Sequence, residues 1–469
     1  MLGVPCGAPE RLVRSYSLDS RTITPGQLFF ALRGPRFDGH EFVSQALERG
    51  AAGAVVQAAF WEQAAPAIRP ALLPVPDTLQ ALQALAQAVR RKWDRRLIAV
   101  TGSVGKSTTK EMVAALLAGR FTVLRSLGNL NNDYGVPLTL LELDPGDDVA
   151  VLELAMSAAG EIARLAQIAE PEVGVVTNVA PVHLQFFDSV DSIARAKREL
   201  IEHLAWRRGP PTAILNYDDE RIRKFADGFA GRVLTFGFEQ GAMFRAVEVR
   251  PSESGGTAFR VLGPNLDVAF RLPLAGRHNV QNALAALAVA SLFDIPGEEL
   301  GQALATFRNL HQRGEILTLP GEVTVINDSY NSNPRAMECM LEVLAAFPGA
   351  QRRILVAGEM LELGPSSPAL HRETGRKCAA SKVTWLIAVQ GDAQFFLEGA
   401  QAGGIPRDQL RFFPEARQAG DFCRTLLQPG DVVLVKGSRA VRLESVIELL
   451  RASPVGALAA PARDSNSRR

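Results

Sequence analysis

Short apolar runs rich in β-branched residues alternate with longer stretches of helical periodicity along almost the whole chain, which is the pattern of βα units and parallel sheets. An α/β fold is therefore expected. In a first block, to residue 93, strand-like runs at 27–32, 52–56 and 71–75 precede a helical stretch at 77–91. That is too little for a full doubly wound domain. A second block opens with the apolar run at 97–100, continues through runs at 149–154 and 173–177, and holds a strongly apolar helix at 278–293. Between 231 and 272 the residues alternate and turn signals (PSESGG, LGPN) recur, which predicts an antiparallel excursion. A third block repeats the alternation with runs at 323–326, 354–357, 386–389 and 432–435. The expected organisation is a small N-terminal α/β domain (1–93), a central α/β domain with a parallel sheet (94–312) and a C-terminal Rossmann-like domain (313–453). Residues 454–469 lack periodicity and are expected to form a disordered tail.

Composition narrows the partners. The chain has 469 residues, with 51 Lys plus Arg against 50 Asp plus Glu, so there is no global field of the kind that holds nucleic acid or an anionic membrane. Anionic ligands must be met by local clusters. Cys6, Cys339, Cys378 and Cys423 are far apart, without metal-type spacing or the density of a secreted scaffold, and a reducing compartment is expected. The N-terminal stretch has no apolar region of signal length, and no run approaches a membrane span, so a cytoplasmic protein is expected.

The most specific chemistry sits in TGSVGKSTTKE, directly behind the run at 97–100. A buried strand that turns through Gly102 and Gly105 into a helix beginning at Lys106, Ser107 and Thr108 aims N–H groups and a positive helix end at phosphate oxygens. Lys106 then reaches the β/γ-phosphates of a nucleotide, and Ser107 offers its hydroxyl to Mg²⁺. The central domain reads as a phosphate-loop ATPase. Ligands of open α/β sheets gather at the carboxyl ends of strands, where Glu153, Asn178 and Asp328 stand. One such residue can equally be a helix cap or core partner, but three polar strand ends beside a phosphate loop favour a site, with Glu153 as a second Mg²⁺ contact. His183, in NVAPVHLQFF, is open between metal ligand and structural histidine. Lys197, in SIARAKREL, reads by itself as a solvated helical lysine. Lys436, Ser438 and Arg439 in VKGSR are open between ligand contact and solvated loop.

Taken with GNLNNDYGVPLTLLEL, ELAMSAAGEI, TNVAPVHLQFFDSVDSIARAKREL, AGRHNVQNALAALA, INDSYNSNPRAM and VLVKGSR, the phosphate loop resembles that of the ATP-dependent Mur ligases of peptidoglycan synthesis, over about residues 15–450. NNDYGVPLTLLEL, DSYNSNP and GEMLELG followed by His371 are most similar to members that join D-alanyl-D-alanine to UDP-N-acetylmuramoyl-tripeptide. The resemblance implies an ADP-forming ligase that uses ATP and Mg²⁺ and works as a monomer in the cytoplasm. It implies a UDP-binding first domain, an ATP-binding central domain and a mobile last domain. It also implies that Lys197 is carbamylated and becomes an anionic ligand, with Ser107, Glu153 and His183 as the other metal contacts. Asn282 then meets adenine, Arg313 the γ-phosphate and Asp328 the ribose. Ser20, Arg21, Asp38 and His40 fall to the UDP portion, and Asn131, Asn132, Tyr330 and Asn331 to the muramyl-peptide side. Related readings are the ligase adding the third residue, a folylpolyglutamate synthetase, against which the first block argues, and a partner-coupled phosphate-loop ATPase.

Overall fold

The computed structural model describes residues 12–35, 37–182, 184–252 and 256–452. The tail expected to be disordered, 454–469, lies outside these residues. Three sheets divide the chain. The first has four parallel strands in the order Ser15–Ser17, Gln27–Phe30, Gly53–Gln57 and Leu72–Val75. Asp77 caps the helix Thr78–Trp93 that follows by accepting the Gln80 N–H, and the turn out of it passes through left-handed Asp94.

The central sheet has nine strands, and its middle is parallel. Arg96–Thr101 lies between Val149–Glu153 and Val173–Val176, with every residue from Leu97 to Thr101 buried. Helices cover both faces, so an uninterrupted apolar run is what this strand needs. On one face the helix Arg277–Ala290 packs against the helix Lys106–Leu117. Its alanines and Gly-free apolar surface allow close approach, and Val280 and Ala283 through Ala290 are all buried. The alternating region holds the strands Phe244–Pro251, Thr257–Gly263 and Leu266–Leu272, paired antiparallel as the alternation predicts. Arg232–Gly237, inside the same stretch, pairs parallel with Thr212–Asn216 and continues the main sheet.

The third sheet runs Glu315–Leu319, Val323–Asp328, Asp431–Lys436, Arg352–Gly358, Trp385–Val389, Leu410–Phe413. Only its first pair is antiparallel. The carboxyl end of Val323–Asp328 delivers Asp328 toward the central sheet's phosphate loop. The connection between the two domains includes two residues with left-handed backbone, Gln312 (φ 63°) and Gly314 (φ 69°), on either side of Arg313. Among the described residues no helix is long and apolar enough to cross a membrane.

Candidate active site

The strand Arg96–Thr101 ends in a loop that only glycine can make at two points. Gly102 has φ 148°, and a Cβ there would lie 1.9 Å from Thr177 Oγ1. Gly105 has φ 85°, and a Cβ would lie 2.3 Å from Asn282 Oδ1. The loop is fastened to the end of the neighbouring strand. Thr177 Oγ1 donates to the Val104 carbonyl at 2.6 Å, Asn178 Oδ1 accepts the Val104 N–H at 2.9 Å, and Ser103 N–H donates to the Asn178 carbonyl at 2.9 Å. Asn178, read from the sequence as a strand-end polar residue, is thus a brace of the loop.

From this frame Lys106 curls back, its Nζ donating to the Gly102 carbonyl at 2.9 Å. Burial lowers its pKa, Glu153 opposes that shift, and the charge of Arg313 adds to it. Ser107 donates to Glu153 Oε2 at 2.6 Å, and Asn131 Nδ2 donates to Glu153 Oε1 at 2.9 Å. Glu153 is buried. The carboxylate and the hydroxyl are hard oxygen donors suited to Mg²⁺ that keeps waters and phosphate oxygens as its other ligands, and the Asn131 amide orients the carboxylate. Among the described residues no three His, Cys, Asp or Glu cluster to hold a metal without such help. His183 lies outside the described residues.

Lys197 sits on the helix Val190–Glu202 at 2% exposure. Burial holds its pKa well below the usual value, and the charge of Lys106 lowers it further. The reading of a solvated lysine is overturned. Ile193, Ala196, Leu200 and Ile201 form the buried face of that helix, and Lys197 falls three or four residues from Ile193, Leu200 and Ile201. The periodicity carries that signal without any resemblance.

The facing wall comes from the third domain. A cleft of about 650 Å³ brings together Gly105, Lys106, Ser107, Thr108, Asn131, Asn132, Glu153 and Asn282 with Arg313, Asp328, Tyr330 and Asn331. The Arg313 guanidinium lies 4.1 Å over the Tyr330 ring. Asp328 accepts from Lys436 Nζ at 2.5 Å, and the same ammonium donates to the Asn331 carbonyl at 2.8 Å. Lys436 is 1% exposed and orders this wall, which overturns the reading of a solvated lysine for that residue. Ser438 does similar work, its hydroxyl accepting the Leu361 N–H at 3.0 Å.

A second cavity of about 590 Å³, lined by Phe238, Arg277 and Gln281 among others, meets the first at Val104, Gly105, His278, Asn282 and Cys339. His278 was missed by sequence reasoning, although it precedes Asn282 by one helical turn in AGRHNVQNAL. Burial lowers its pKa to about 4, opposed by Asp328 and reinforced by Lys436 and Arg335. At neutral pH the ring is uncharged.

The first-domain residues do not line either cavity. Ser20 donates to Gln45 Oε1 at 2.7 Å, and exposed Arg21 is paired with Asp19 at 2.7 Å. Asp38 meets His40 Nδ1 at 2.6 Å and Arg33 Nε at 2.9 Å, while His40 Nε2 accepts the Gln57 N–H at 2.9 Å. Ser20 and Arg21 thus bond within one polar set and Asp38 and His40 within another.

Comparison with known proteins covers the whole organisation. Models of the Mur ligase family match the chain in three parts: the catalytic domain at 13–92, the middle domain at 100–290 and the glutamate ligase domain at 312–439. The UDP-N-acetylmuramoyl-tripeptide--D-alanyl-D-alanine ligase of Bacillus subtilis is 33% identical, with 95% of each chain covered. The crystal structure of MurF from Acinetobacter baumannii is 32% identical, covers 94% of each chain and superposes with a TM-score of 0.85. MurF ligase from Thermotoga maritima, solved in complex with ADP, is 29% identical over 94% of this chain and 98% of its own, with a TM-score of 0.82.

Proposed function

The chain belongs to the Mur ligase family, and from that premise we propose that it joins D-alanyl-D-alanine to the terminal carboxylate of UDP-N-acetylmuramoyl-tripeptide, consuming ATP and releasing ADP and phosphate. One observation carries this reading above the others. A phosphate loop, with Ser107 bonded to the buried Glu153, faces Arg313 and Asp328 of another domain across a single cleft.

A free carboxylate resists amine attack because it is an anion and would have to expel oxide. In the proposed sequence the tripeptide carboxylate oxygen attacks the γ-phosphorus of ATP, the bond to ADP breaks, and an acyl phosphate forms. The neutral amine of the dipeptide then attacks the acyl carbon, the tetrahedral intermediate expels inorganic phosphate, and the amine loses its proton. Two anions must approach each other in the first step, so positive charge is the chief requirement. Lys106 from one wall and Arg313 from the other meet it. Because these groups stand on different domains, approach of the third domain completes the site and excludes water from the acyl phosphate.

Ser107 and Glu153, the latter oriented by Asn131, present the oxygen-rich corner that would hold Mg²⁺, which supplies charge neutralisation at the phosphates when bound. Lys197 stands beside Lys106, and burial together with that charge favours its neutral amine, the form that reacts with CO₂ to give a carbamate and a proton. That carbamate is proposed as a further anionic ligand, with His183. Asn282 against Gly105 marks the adenine side, and Asp328 the ribose side. Asn132, Tyr330 and Asn331 are assigned to the muramyl-peptide side, and Ser20, Arg21, Asp38 and His40 to the uridine nucleotide. ATP and a nucleotide-linked precursor place the reaction in the cytoplasm.

The test measures phosphate release with ATP and UDP-muramoyl-tripeptides bearing lysine, ornithine or diaminopimelate, each with and without D-alanyl-D-alanine. Release that requires both the tripeptide and the dipeptide is expected. Release indifferent to both would overturn the reading and favour a partner-coupled ATPase.

A further inference from the structure

Four residues beyond Lys106, on the next turn of the same helix, stands a second lysine that the chemistry above leaves unused. Lys110 is fully buried, its Nζ donates to the Ser126 carbonyl, and it pairs with Glu111 Oε1 at 2.9 Å. Glu111 in turn holds Arg125 Nε at 2.8 Å. A buried ammonium is costly, and a methionine would fill much the same space. What the charge does is visible in the bonds that continue from Ser126.

Ser126 is 1% exposed, and its hydroxyl accepts the Glu153 N–H at 3.1 Å. Five residues on, Asn131 donates to Glu153 Oε1, and the Asn131 carbonyl accepts the Ala155 N–H at 2.9 Å. Glu153 is therefore gripped at its main chain by Ser126 and at its carboxylate by Ser107 and Asn131. Ser107 and Lys110 are three residues apart on one helix face. That face thus sets the carboxylate directly, through Ser107, and its backbone indirectly, through Lys110 and Ser126.

We propose that Lys110 is a positioning residue: it pins the segment 126–132 to the phosphate-loop helix, so that Glu153 and Asn131 keep the orientation that accepts a divalent cation beside the nucleotide. This rests on the reading of Glu153 as a cation contact. Lys110 touches no substrate and takes no part in proton or phosphoryl transfer.

The test compares the wild-type chain with Lys110→Met, Ser126→Ala and the double variant. Mn²⁺ binding in the presence of ADP is followed by electron paramagnetic resonance, which needs no turnover, and amide formation is measured alongside. Each single variant is expected to bind Mn²⁺ about tenfold more weakly, a typical cost of losing an outer-shell partner. The double variant is expected to lose no more than about a further twofold, because both changes break one chain of bonds. The KM for D-alanyl-D-alanine stays unchanged. Wild-type Mn²⁺ affinity in a folded Lys110→Met protein, or fully additive losses, would overturn the proposal. If Lys110→Met does not fold, Ser126→Ala decides alone, and wild-type affinity there overturns it. A wild-type protein that binds Mn²⁺ with ADP yet forms no amide would instead sink the functional reading, which keeps the two failures apart.

Discussion

The two seams of this molecule are built on different physics. Where the first domain meets the second, Arg90 of the helix Thr78–Trp93 is fully buried and donates to the Ala169 carbonyl at 2.8 Å, the Glu170 carbonyl at 3.0 Å and Glu172 Oε2 at 3.0 Å. Glu172 also accepts the Leu97 N–H at 2.9 Å, at the root of the strand that feeds the phosphate loop. Where the second domain meets the third, the bonds among the described residues include exposed ones: Arg439 to Gln312 at 2.8 Å, and the Gln185 N–H to the Glu362 carbonyl at 3.3 Å. A buried, multiply bonded cation fixes one geometry, whereas exposed polar bonds are exchanged for water at little cost. The contrast predicts that the first two domains act as one body, against which the third closes about Arg313.

The largest effect should come from breaking the rigid seam. Arg90→Met leaves Glu172 buried without its cation, and a loss of about 3–5 kcal/mol is expected, measured by chemical denaturation. A loss near zero would mean that the seam is not the anchor described. At the mobile seam the same kind of change should spare stability and strike turnover. Lys106→Ala is expected to lower amide formation by about 10²–10³-fold while leaving UDP-substrate binding and the denaturation midpoint near wild type. Loss of both activities in a folded variant would contradict the separate placement of the two nucleotides.

Acid should loosen the second seam. His278 faces Asp328, Lys436 and Arg335 of the third domain, with a pKa of about 4 in the folded chain against an ordinary 6.5. Between these values the unfolded chain binds a proton that the folded chain refuses, so stability falls as pH drops through 6.5 toward 4. The expected cost is about 2 kcal/mol at pH 5 relative to pH 7.5. His278→Asn should flatten that slope, as denaturation curves at the two pH values would reveal. The smallest effect is expected from Arg439→Ala, which removes an exposed bond to Gln312 and should change stability by about 0.2–1 kcal/mol. Its readout is the rate of domain closure, followed by fluorescence transfer between labels on the second and third domains, with faster opening expected.

Much of this architecture is legible in the residues because buried parallel strands must be continuously apolar. The runs at 97–100, 149–154 and 173–177 became Arg96–Thr101, Val149–Glu153 and Val173–Val176. The strands Ser15–Ser17, Val123–Arg125, Glu315–Leu319 and Leu410–Phe413 went unread, and each is the edge of its sheet. An edge strand is short and half exposed, so it needs no apolar run. Thr212–Asn216 is the exception, central and buried, with only Ala213, Ile214 and Leu215 apolar between a threonine and an asparagine. In the cleft, Lys106, Ser107 and Glu153 were legible because loop spacing and strand ends dictate their place. Lys436 was not, since whether a lysine meets a ligand or an internal aspartate depends on how two distant strands pair. His278 needed the third domain to give it neighbours.

The two chambers of the cleft communicate past Gly105, where a single added carbon would collide with Asn282 at 2.3 Å. Any side chain at 105 would therefore have to push Asn282 aside, and Asn282 lines both chambers. Enlarging residue 105 is for that reason a route to drug resistance closed to the protein, because it would displace a wall that both chambers share.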